Sequence, residues 1–212
     1  MISRLGGRLL YWILRSSTGR DMLSIINRVG IKGHLLDGNA HEIAECYTVP
    51  GDIILVRAEF EGTTALQASD YTHLAIRGSQ KLMPIGPQYR ESMVSTIVHS
   101  TGLPGVHTAN IKELFVGISA IAGLRLPWGW EDRERVWKRA CYYEAEGIGY
   151  DWEFSSTKED MYCSELGLHC INDIRPDYLN LRDRYGELTI TPDDFRKAVE
   201  AGKFKLLFEE KA

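Results

Sequence analysis

Tyr162-Cys163-Ser164-Glu165-Leu166 is the stretch on which the reading of this chain turns. It opens an apolar, helix-compatible segment placed at about 161–172, with Asp160 expected as its N-cap. A thiol in the first turn of a helix lies at the positive end of the helix dipole, beside backbone N–H groups without helical partners. Both favour the thiolate, the nucleophilic form of cysteine. The same N–H groups can stabilise the oxyanion that forms when the sulfur attacks a carbonyl. A lone cysteine at a helix start also fits an inert, buried thiol. What the rest of the chain sets beside it decides between the two.

A thiol nucleophile needs a base within hydrogen-bond reach and a third group to orient that base. Six histidines occur, at 34, 41, 73, 99, 107 and 169. His73 and His99 lie in two expected strands, Thr72-His73-Leu74-Ala75-Ile76-Arg77 and Ser95-Thr96-Ile97-Val98-His99, where the backbone would hold an imidazole more firmly than a loop does. Their separation suits adjacent antiparallel strands. Each taken singly also reads as an ordinary hydrogen-bonded histidine. His34, His41 and His107 read as loop or turn residues. His169 is six positions beyond Cys163 and faces another side of the same helix.

Working outward, Pro50-Gly51 is a turn signal, and Ile53-Ile54-Leu55-Val56 is a short, continuously apolar run that reads as a buried strand. Residues 59–69 read as a polar loop. Further strands are expected at 106–109, 118–126 and 203–208, and a helical turn at 111–115. Residues 131–146 read as a helix, acidic at its start and with Val136, Ala140 and Tyr143 at helical spacing. Thr191-Pro192-Asp193-Asp194 opens a last helix, with Thr as cap and Pro at the first helical position. Strands and helices mix without a regular βαβ alternation, so the expected fold class is α+β. Residues 1–30 read as helical and 31–50 as mixed. The expected organisation is a helical N-terminal appendage, 1–45, followed by one domain, 46–212.

Together these pieces resemble a known family. Pro50-Gly51-Asp52-Ile53-Ile54-Leu55, Tyr71-Thr72-His73-Leu74-Ala75-Ile76, Ile97-Val98-His99-Ser100, Gly149-Tyr150-Asp151-Trp152-Glu153-Phe154 and Tyr162-Cys163-Ser164-Glu165-Leu166 follow in the order of the permuted papain-like hydrolases of the NlpC-type superfamily, YiiX/YaeF-like branch. Lecithin retinol acyltransferase is a more distant relative of that group. The resemblance covers about residues 48–208, and Thr191-Pro192-Asp193-Asp194-Phe195 is similar to the end of the branch. It implies a circularly permuted papain-like fold, an antiparallel sheet packed on the helix that carries the nucleophile. It also implies Cys163 as nucleophile and His73 as base. His99 falls where the family sets a third polar residue, often a carboxylate; a neutral His99 could accept from one His73 nitrogen and leave the other for the thiol. Glu91 is the second choice for that role. Thr72 stands where Ser is commoner, and Gly167 where Val is usual, which points to close packing at the Cys helix.

The resemblance implies a cysteine hydrolase that cleaves an amide bond (peptide, isopeptide or cell-wall stem peptide) through an acyl-enzyme on Cys163, with no cofactor. Two alternatives stand beside it: a lipid-directed thiol acyltransferase or esterase, and a non-catalytic binding module of the same fold. Tyr162 is expected to line the cleft, and Trp128 and Trp130, flanking a bend, to wall a substrate groove. Asp52 and Glu165 are read as structural carboxylates, Asp52 bonding local backbone N–H groups after its turn.

Composition agrees with a globular protein. The 212 residues are 44% hydrophobic and 25% charged with a net charge of −4. No cluster of basic residues interleaves with aromatics, so nucleic acid is not an expected partner. The four cysteines show neither a CxxC pair nor zinc-ligand spacing, so no metal is expected and reduced thiols are. Near the N-terminus the apolar run 9–14 is too short for a signal peptide core or a membrane span. A cytoplasmic protein is expected, with residues 1–30 docked on their own domain in preference to a membrane surface.

Overall fold

Ile53, Ile54, Leu55 and Val56 are all fully buried, and they occupy both faces of the sheet around which the chain is arranged. The structure is a computed structural model, and it describes residues 36, 39–58, 69–85, 90–151, 154, 158–184 and 187–212. The expected helical reading of residues 1–30 and the loop at 59–68 lie outside them.

In chain order the elements are α1 (Ala40–Tyr47), β1 (Ile53–Ala58), β2 (His73–Ile85), β3 (Arg90–Thr101), β4 (Gly105–Asn110), a 3-10 turn (Ile111–Phe115), β5 (Ile118–Arg125), α2 (Trp130–Ala145), α3 (Cys163–Asn172), β6 (Arg182–Arg184), β7 (Glu187–Thr189), α4 (Pro192–Ala198) and β8 (Lys205–Lys211). Six strands form one sheet in the order β4-β3-β2-β1-β5-β8, and every neighbouring pair is antiparallel. β6 and β7 form a separate hairpin. The fold is α+β.

β1 pairs with β2 on one side and β5 on the other, so its alternating side chains have two faces to fill. Ile53 and Leu55 join a core with Val136 and Ala140 of α2, Leu166 and Ile171 of α3, and Phe195 of α4. Ile54 and Val56 join a second core with Ala40 and Ala44 of α1 and with Ile111 and Leu114 of the 3-10 turn. That double coverage is why the run carries no polar alternation. Burial of these four side chains contributes roughly 6–12 kcal/mol before conformational entropy.

Several expected elements are longer, and some differ. β2 and β3 run to 13 and 12 residues, well past the expected 72–77 and 95–99. The pairing shifts register between Arg77 and Gln80, so the strand runs through an irregularity at Gly78-Ser79, past Arg77 where its end was expected. The mixed segment 31–50 contains α1, which crosses the position 45/46 where a boundary was expected and packs on the sheet. His41 is therefore helical. At α4 the cap is as read: Thr191 and Asp194 form a capping box, with Pro192 in the first turn.

Candidate active site

α3 begins at Cys163, with Tyr162 as N-cap in an extended conformation, φ −82° and ψ 170°, and no side-chain cap. The expected cap, Asp160, lies too early. The Met161 N–H donates to the Gly149 carbonyl at 3.0 Å, and this holds the chain extended up to Tyr162. The first helical bond runs from Leu166 N–H to Tyr162 O at 3.0 Å, so the N–H groups of residues 163–165 have no helical acceptor. Burial holds the Glu165 carboxyl above its ordinary value, and the His169 side chain, 3.5 Å away, works against it. Ser100 Oγ of β3 donates to the Met161 carbonyl at 2.5 Å and ties the helix start to the sheet. A Cβ on Gly167 would lie 3.0 Å from Leu74 Cδ2 and 3.0 Å from Phe195 Cζ. α3 thus rests directly on β2, the close approach expected from that glycine.

His73 is the first residue of β2, opposite Val56, and is buried. Its neighbour Thr72 accepts the Ala58 N–H on its hydroxyl at 3.1 Å, so a hydroxyl at 72 anchors the strand start. Burial acts to raise the pKa of the Cys163 thiol. The charge and hydrogen bond of His73, the Leu74 backbone and the Ser164 hydroxyl more than offset it, and the thiol is held below the ordinary cysteine value. His73 Nε2 stands 2.9 Å from His99 Nδ1. Burial, reinforced by repulsion from His73 and His107, keeps His99 well below the usual histidine range, so this ring is neutral.

The row continues. His99 sits directly opposite His107 in the β3–β4 register, with Nε2 to Nε2 at 3.1 Å. His107 Nδ1 then meets the Gly105 carbonyl at 2.9 Å. His107 had read as a loop or turn residue, and the structure corrects this to β4. The signal was present, because the strand expected at 106–109 contains it, and a short turn before that strand lays it beside His99.

The other expected site residues lie outside the row of histidines. Tyr162 is buried, and its hydroxyl accepts the Ile190 N–H at 3.0 Å. Trp128 is buried as well, with the Tyr178 ring edge-on at 4.7 Å and the Arg175 guanidinium 4.4 Å over its face. Both of these neighbours pack against its ring. Trp130, at the start of α2, is 66% exposed. Glu91 pairs with Pro84 on β3, eight residues from His99 and so roughly 27 Å away along the strand. Asp52, fully buried, accepts the Val49 N–H at 2.8 Å and is clasped by Arg125 through Nε at 3.0 Å and Nη2 at 2.6 Å.

Among the described residues no group of three or more His, Cys, Asp and Glu side chains has the geometry to hold a metal ion. None of the described helices is long and apolar enough to cross a membrane.

No curated protein matches the chain. Among solved structures, the crystal structure of metalloprotein yiiX from Escherichia coli O157:H7 is similar in fold, with a TM-score of 0.56 and 18% identity over 78% of this chain and 99% of that one. Residues 47–200 match the model of the permuted papain-like amidase enzymes, the YaeF/YiiX or C92 family, and the chain belongs to that family, an enzyme of the papain-like amidase and peptidase class.

Proposed function

We propose that Cys163 is the nucleophile of this amidase, that His73 is its general base and acid, and that His99 orients His73. The observation that carries this is the 2.9 Å contact of His73 with a neutral His99, together with the lowering of the Cys163 thiol by His73, at a helix start that has no side-chain cap. His73 takes the thiol proton, and the sulfur attacks the amide carbonyl carbon. The oxygen becomes an oxyanion facing the backbone N–H groups of the first turn, which no side chain of the cap residue occupies. When the C–N bond breaks, the His73 imidazolium gives its proton to the leaving amine, and a thioester remains on Cys163. Water then loses a proton to His73 and attacks the thioester. The C–S bond breaks, the acid departs and gives its remaining proton to solvent, and His73 returns its proton to sulfur, which regenerates the thiol.

The substrate proposed is a peptide, an isopeptide or a cell-wall stem peptide. The test is an activity-based thiol probe applied to the full chain and to Cys163→Ala and His73→Ala, followed by a panel of peptide, isopeptide and lipid-ester substrates. Labelling confined to Cys163 and lost without His73, with turnover of amides, supports the reading. Labelling of Cys163→Ala at the wild-type rate, or turnover of lipid esters alone, overturns it.

A further inference from the structure

The row of three imidazoles ends on a carbonyl, and a carbonyl can only accept. His107 Nδ1, 2.9 Å from the Gly105 oxygen, therefore carries a proton, and in the neutral ring Nε2 is left as a bare lone pair. That lone pair faces His99 Nε2 at 3.1 Å, so the single proton of neutral His99 belongs on Nε2, and its Nδ1 is bare. His99 Nδ1 faces His73 Nε2 at 2.9 Å. His73 then donates from Nε2, and in that neutral tautomer its Nδ1 carries the lone pair that can accept the Cys163 thiol proton.

We infer that His107, anchored on the Gly105 carbonyl, sets the direction of the hydrogen bonds along the row and thereby holds His73 in the tautomer that is basic toward Cys163. It is a positioning residue, and its role rests on the reading of His73 as the base of Cys163. Without it, the His73–His99 hydrogen bond has no fixed direction. His99 could turn an Nδ1–H toward His73, and the His73 proton would then sit on Nδ1, where it cannot accept the thiol proton.

The anchor is built rigidly. Gly105 has φ +93°, and a Cβ there would lie 2.5 Å from the Ile148 oxygen and 2.8 Å from Gly149 Cα, so only glycine fits. The adjoining Val106 N–H donates to the Ile148 carbonyl at 2.9 Å. Gly149, next along, accepts from Met161 N–H, two residues before Cys163. The carbonyl that orders the row and the turn that presents the thiol are therefore held by one stretch of backbone.

Nitrogen-resolved imidazole NMR of the full chain carrying Cys163→Ala, in which no thiolate can charge His73, reads the tautomers directly. The expected spectrum has His107 protonated at Nδ1, and His99 and His73 protonated at Nε2. Adding His107→Phe should convert His99 to a mixture with substantial Nδ1 protonation. On the thiol background, His107→Phe should slow thiol-probe labelling by about ten- to a hundredfold, as loss of an outer-shell partner does, without changing the probe concentration for half-saturation. His107→Gln, whose amide oxygen offers His99 an acceptor again, should recover most of that rate. His107 protonated at Nε2, or a His99 tautomer untouched by His107→Phe, overturns the inference. The spectra need no turnover, so such a failure leaves the roles of Cys163 and His73 standing, whereas absence of labelling at Cys163 would remove those roles themselves. Should His107→Phe not fold, the tautomers of the Cys163→Ala chain alone decide.

Discussion

His73 Nε2 and His99 Nδ1 stand 2.9 Å apart on adjacent strands, and both rings are buried. A group that orients a base is worth less than the nucleophile, because residual positioning survives its loss. His99→Ala should keep measurable turnover, lowered roughly a hundredfold, the low end of what general base catalysis supplies. Cys163→Ala should keep none. Steady-state rates on an amide substrate check this. Equal losses would make His99 more than an orienter, and no loss would remove the role.

The four thiols should separate by pH. Cys163 is held below the ordinary value, whereas burial pushes Cys170 well above it and raises Cys141. A lowered value means that the thiolate persists as pH falls, down through a range in which an ordinary thiol, near 8.5, is already protonated. In a Cys46→Ser chain, which removes the exposed thiol, iodoacetamide should alkylate Cys163 first at every pH, with a rate that falls only on the acid side. His73→Ala should move that profile to higher pH. Mass spectrometry of quenched digests reads both, and an unmoved profile would separate His73 from the thiol.

Asp52 tests the distinction between acids that hold the fold and acids that do chemistry. Its carboxylate joins the Val49 turn at the start of β1 to Arg125 at the end of β5, and Arg125 Nη2 also donates to the Tyr47 carbonyl at the end of α1. Asp52→Ala should cost about 3 kcal/mol, the low end for breaking a buried ion pair, because Arg125 keeps some access to water. Urea unfolding should show a lower midpoint at unchanged slope. Turnover per folded molecule should stay at the wild-type level; a selective loss of turnover would bring Asp52 into the site.

Local physics made much of this molecule legible. Ile53–Val56 announced a strand covered on both faces, and Thr191-Pro192 announced a capped helix. What escaped depends on partners distant in sequence. α1 buries only Ala40 and Ala44 among its own residues, too faint a stripe to read before the sheet is there to receive it. His107 gains its meaning only from the β3–β4 register that sets it against His99. Nothing near Trp128 in sequence shows that Tyr178 and Arg175 return to pack against its ring. The missing cap at Tyr162 could not be read either, since the expectation of Asp160 followed residue preference while the Gly149–Met161 bond moved the helix start.

Acid should loosen the strand that carries His73. Glu209 on β8 accepts from the Tyr71 hydroxyl at 2.5 Å and from Arg196 at 3.0 and 2.8 Å, so it clamps the residue two positions before His73 to α4. The Arg196 hydrogen bond, against the opposing effect of burial and aided by Tyr71, holds the Glu209 carboxyl down at about 2. An unfolded glutamate titrates near 4.3. The folded value is the lower one, so the stabilisation is complete above the unfolded value and is lost as pH falls through about 2. Glu209→Gln should therefore cost roughly 1 kcal/mol at pH 7, after allowing for solvent screening of a partly exposed pair. That cost should shrink steadily as the pH is lowered from about 5 toward 2, because the wild type loses its charge while the variant has none to lose. Urea unfolding of both chains at a series of pH values measures the difference, and comparison within each pH removes the contribution of other carboxylates. A gap that stays constant across the series would show that the shape of the side chain matters, and its charge does not.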